Sequence, residues 1–99
     1  MKNQWFNSNY MQIASTYCPN ISEDVVCFIA DDGNHFTKYG ITEGMLLIFD
    51  KNKSFKEGHL SCYADTLSDG TKEYRLSNME QPDSIYIGRM VMAVRNYEV

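Results

Sequence analysis

Five short strand-like segments, four of them apolar runs, separated by turn residues, constrain this chain more than any other feature. Val25-Val26-Cys27-Phe28-Ile29-Ala30 is apolar and rich in β-branched residues, and it stops at Asp31-Asp32-Gly33. Met45 to Phe49 repeats the pattern and ends in the polar turn Asp50 to Lys53. Leu60, Cys62 and Ala64 alternate with Ser61 and Tyr63, and Asp69-Gly70 then signals a hairpin. In the strand that follows, Lys72, Tyr74 and Leu76 share one face, and Thr71, Glu73 and Arg75 the other. Ile85 to Val94 is the longest run. Its apolar residues fall on both faces, as in a strand covered on both sides, and Gly88 within it marks a bend or a close backbone approach. The pattern predicts a mainly β fold, a small domain of about five strands with little helix.

A chain of 99 residues holds one such domain. Residues 4–99 are read as that domain, with residues 1–23 as an N-terminal arm. Trp5, Phe6, Tyr10, Met11 and Ile13 are apolar there, but Asn3, Asn7 and Asn9 interrupt them and disfavour a helix. Pro19 and Asn20 suit a loop. Such an arm packs either on its own domain or on a neighbour.

A net charge of −4 opposes nonspecific attachment to phosphate, because that affinity rests on counterions released by Lys and Arg. The densest basic group, Lys51, Lys53 and Lys56, alternates with Asn, Ser and Phe and reads as a solvated loop. No run of helices could supply a helix-turn-helix, so no direct contact with nucleic acid is expected. Cys18, Cys27 and Cys62 form no CxxC pair, and His35 and His59 lie at no finger spacing. Buried reduced thiols are expected, with neither metal nor cofactor. The N-terminus lacks an apolar signal core, and no run approaches the ~18 apolar residues of a spanning helix. These readings predict a cytoplasmic protein with no membrane segment.

One stretch is more specific. Gly33-Asn34-His35-Phe36-Thr37-Lys38-Tyr39-Gly40-Ile41-Thr42-Glu43-Gly44 precedes the Met45 strand. It resembles the LexA-like self-cleaving peptidase domain, which shares its fold core with signal peptidases. That family reads Gly-x-Ser-Met-x-x-x-Gly-Ile-x-x-Gly-Asp, and Gly33, Gly40, Ile41 and Gly44 sit at matching spacings. Lys56 to Leu60, Tyr74-Arg75-Leu76 and Ile87-Gly88-Arg89-Met90-Val91 are similar to later family segments, so the likeness spans residues 25–97. Gly33, Gly40 and Gly44 are read as structural turns, the first two at a close backbone approach and the third reversing the chain.

The resemblance implies a Ser nucleophile beside a neutral Lys base. His35 stands at the Ser position and Tyr74 at the Lys position, so both halves of the dyad are replaced. A phenol is protonated at neutral pH and offers no amine. His35 and Tyr74 are instead expected to fill the old site and to hydrogen-bond to each other or to backbone. Met45 replaces the motif's Asp, and only Ser77 to Ser84 remain where the family carries a longer, strand-bearing insertion. Three functions stay open. The first is a non-catalytic interaction or dimerisation module, pairing with itself or with a LexA-like repressor through Arg89, Val91, Ala93, Arg95 and Tyr97. The second is an enzyme, either a peptidase using substitute residues or an unrelated hydrolase. The third is a small-ligand or structural β domain, a ligand being favoured by a pocket among His35, Tyr39 and Tyr74.

Overall fold

The computed structural model describes residues 2–4, 24–31, 35–95 and 97. The fold is mainly β. Six strands form one sheet: β1 (Lys2–Gln4), β2 (Val25–Ile29), β3 (Leu46–Asp50), β4 (Ser61–Thr66), β5 (Lys72–Ser77) and β6 (Ile85–Val94). The only helical element among the described residues is one 3-10 turn, Thr37–Tyr39. The five expected strands are all present, and the β4–β5 hairpin turns where Asp69-Gly70 signalled it, with Leu67 and Thr71 closing the loop. The sheet begins at Lys2, ahead of the expected domain start at residue 4. Lys2–Gln4 pairs with Ile29–Cys27, so this part of the arm adds to its own domain. Residues 5–23, Cys18 among them, lie outside the described residues, as does Gly33.

The strand order is β1-β2-β3-β6-β4-β5, with every neighbouring pair antiparallel. β6 is therefore central, and it carries two irregularities. Ile48 faces Met92 while Phe49 faces Met90, which leaves Val91 as an extra residue. On the other edge Cys62 faces Gly88 while Tyr63 faces Tyr86, which leaves Ile87 extra. Each bulge bends the strand and adds twist. The C-terminal half of β6 pairs with β3, its N-terminal half with β4, and the sheet curls around the change-over.

The concave side of that curl holds the main core, where Phe28, Leu47, Phe49, Leu60 and Cys62 are almost fully buried. Burying a side chain of this size contributes about 1.5–3 kcal/mol. Tyr74, Leu76, Ile87 and Met90 pack against it. The opposite side of β2 and β3 carries a second cluster of Cys27, Leu46 and Ile48, joined by Val91, Met92 and Val94. β3 is buried at every position, which explains its unbroken apolar run. The two-sided pattern of β6 has the same origin.

Two connections cross the sheet on the second face. β3 and β4 flank β6 and run parallel to each other, so residues 51–60 must pass over β6; there the Tyr86 hydroxyl donates to the Lys53 carbonyl at 2.6 Å. β5 and β6 flank β4 in the same way, and residues 78–84 pass over it. Arg75 holds this second connection, with Nη2 donating to Ser84 Oγ at 2.8 Å and to Gln81 Oε1 at 3.2 Å.

Candidate functional site

The two positions marked by the sequence stand in different surroundings. His35 is exposed at the entrance to the 3-10 turn, whereas Tyr74 is half-buried. Tyr74 faces the concave side opposite Ala64, and its ring packs on Phe28 at 4.8 Å between centroids. Tyr39 packs on the same core and accepts a hydrogen bond from Asn78 Nδ2 at 3.2 Å. Gly40 and Gly44 lie in turns, and Gly40 is not at a close backbone approach. A Cβ there would meet nothing within 4 Å; the backbone needs glycine because φ is +80°, and +88° at Gly44. The close backbone approach is at Gly88, where a Cβ would lie 2.7 Å from the Asp50 carbonyl oxygen.

Of the five candidate interface residues, Arg89, Val91 and Ala93 lie within the central strand rather than on a sheet edge. Val91 and Ala93 pack on the two apolar clusters of their own sheet. Arg95 and Tyr97 are exposed, Tyr97 to 86%. The Arg95 guanidinium donates to the Gly40 carbonyl at 3.3 Å and lies 6.0 Å from the Tyr97 ring centroid.

The second face carries a different assembly. Cross-strand pairing sets Asp50, Arg89, Ser61 and Ser77 in one row, and Tyr86, Tyr63 and Arg75 in the next. Asp50, Ser61 and Tyr63 are almost wholly buried. Asp50 Oδ1 accepts from the Asn52 N–H at 2.9 Å, but the hydroxyls of Ser61 and Tyr63 have no hydrogen-bond partner among the described residues. An unsatisfied buried hydroxyl costs about 1–3 kcal/mol. Burial pushes the Tyr86 phenol above its ordinary range; the neighbouring Ser61 hydroxyl, short of hydrogen-bond geometry, and Arg89 pull it partly back.

Between the two crossing connections lies a pocket of about 260 Å³, lined by Phe55, Tyr63, Glu80, Gln81, Pro82, Ser84 and Tyr86. Its floor is the Tyr63–Tyr86 pair, with centroids 5.4 Å apart and planes at 74°. Phe55 comes from the loop over β6, and residues 80–84 from the loop over β4. Sequence reasoning missed this site. Phe55 sits among Asn52, Lys53, Ser54 and Lys56 and passed for part of a solvated loop. A lone aromatic in a polar loop was the available signal. Beside the pocket, Arg75 Nε donates to Asp65 Oδ2 at 2.8 Å. The Ser84 hydroxyl, and after it Arg75, hold the Asp65 carboxyl below its ordinary range.

The thiols are poor nucleophiles. Cys27 and Cys62 are free and buried, and burial pushes each up to about 12. Among the described residues no group of three His, Cys, Asp or Glu side chains could hold a metal ion, and no helix is long and apolar enough to cross a membrane. Comparison with protein-family models, with curated proteins and with solved structures finds no match to this chain.

Proposed function

We propose that this chain is a catalytically silent LexA-like domain of the cytoplasm that works by binding protein, either a second copy of itself or a LexA-like repressor whose activity it modulates. The observation that carries this reading is the fate of the two dyad positions. One holds an exposed His35; the other holds Tyr74 packed on Phe28. The resembled chemistry needs a Ser nucleophile beside a neutral Lys base, and neither residue type stands at these places. The binding surface narrows to Arg95 and Tyr97, an exposed pair of the residue types that dominate interface energetics.

Sedimentation of the purified protein, joined to affinity capture of the tagged protein from its host, tests the reading. Self-association or retention of a repressor, lost on Tyr97→Ala with Arg95→Glu, is the expected result. A concentration-independent monomer that retains neither overturns it. Intact mass after alkaline incubation is expected to stay full-length, and a discrete self-cleaved fragment would restore the peptidase reading.

A further inference from the structure

We infer that the pocket between the two crossing connections binds a quaternary or methylated ammonium group. Three aromatic residues line it, Phe55, Tyr86 and the nearly buried Tyr63, together with Pro82. Tyr63 and Tyr86 meet at 74° and form a corner rather than a stack, and Phe55 adds a wall from another part of the chain. Aromatic rings carry negative faces, and several rings around one small space attract a weakly hydrated cation.

The charges point the same way. Glu80 is exposed and lines the pocket, so its carboxylate supplies a formal negative charge. Arg75 bonds to Gln81 and Ser84 of the lining, and its guanidinium is matched by Asp65 at 2.8 Å; Arg89 acts on the Tyr86 phenol from the neighbouring row. An anion would meet the Glu80 carboxylate. A hard metal ion wants six or more oxygens, whereas the lining is largely aromatic. A neutral apolar group would gain nothing from Glu80. At about 260 Å³ the space falls below that of pockets for drug-sized ligands, typically ~300–1,000 Å³, and suits a head group. This site is separate from Arg95 and Tyr97, so it can fail or stand without the interaction surface.

The test is a titration followed by the ring resonances of the tyrosines. The probes are choline, its uncharged carbon isostere neohexanol, and a short peptide with trimethyllysine beside the same peptide with plain lysine. Saturable shifts with choline or the trimethyllysine peptide are expected, with neohexanol roughly tenfold weaker or worse. Phe55→Leu and the surface change Glu80→Gln should each weaken binding several-fold without lowering the unfolding midpoint. Tighter binding of the peptide assigns a modified side chain, and tighter binding of choline a free head group; both support the site. The inference falls if neohexanol binds as well as choline. It also falls if neither cation saturates by about 10 mM, or if both substitutions leave binding unchanged.

Discussion

Gly88 lies where β6 passes the end of β3, and a Cβ there would stand 2.7 Å and 2.9 Å from the Asp50 carbonyl oxygen and carbon. Backbone cannot move aside as the tip of a flexible side chain can. Gly88→Ala is expected to lower stability by about 2 kcal/mol or more, read from the urea midpoint. Tyr63 poses the opposite case. Its hydroxyl is buried with no partner among the described residues, so Tyr63→Phe should leave the thermal midpoint unchanged or raise stability by about 1 kcal/mol. A loss beyond that would show that the hydroxyl has an unseen bond. Gly88 was legible in the sequence because a glycine inside an apolar run has no turn to explain it. The relation of His35 to Tyr74 was not legible. Both residues stand at the spacing of the resembled motif, but their meeting depends on how the Gly40 turn and β5 are placed in three dimensions. Phe55 was hidden by its polar neighbours, because a loop's composition does not say what the loop crosses.

At the scale of elements, the connection over β4 is fastened chiefly through side chains. Arg75 reaches Asp65, Gln81 and Ser84, and Ser77 Oγ takes up Met79 N–H and Gln81 Nε2. Arg75→Ala should speed amide exchange locally in residues 78–84, while global stability falls by less than about 1 kcal/mol, as for other exposed ion pairs. The Asp65 carboxyl is held below its ordinary range, first by the Ser84 hydroxyl. Its contribution is therefore present above the unfolded carboxyl's value of about 3.9, and it is lost as pH falls through the lower folded value. Asp65→Asn should remove that part of the acid limb in a plot of urea midpoint against pH. The elements themselves were largely readable, since turn clusters bound every one of the five longer strands. β1 was not, because three residues of Lys-Asn-Gln carry no strand signal, and only pairing with β2 defines them.

For the whole molecule, the two buried thiols set a limit on the alkaline side. Each is pushed up to about 12 from an ordinary value near 9.0. In the unfolded chain the thiols lose their protons first, so the unfolded state binds fewer protons and stability falls as pH rises from about 9 toward about 12. Urea midpoints taken at rising pH should show this decline, and it should be shallower in a Cys27→Ala, Cys62→Ala double variant compared with its own neutral-pH value. Under native conditions both thiols should resist iodoacetamide and become reactive on denaturation, as peptide mapping would report.

The place of β6 in the sheet also bears on how the protein is made. β2 pairs with β3, and β4 with β5, and although Phe28 and Tyr74 touch in the core, the two pairs are hydrogen-bonded into one sheet only through β6. A ribosome delivers β6 after all the others. Until residues 85–94 have left the exit tunnel, the two pairs lack the strand that joins them into one sheet, and the apolar residues that β6 covers stay open to water. Closure then comes late and in one step, joining segments far apart in sequence. During that interval the exposed apolar faces of β3 and β4 are natural targets for a chaperone.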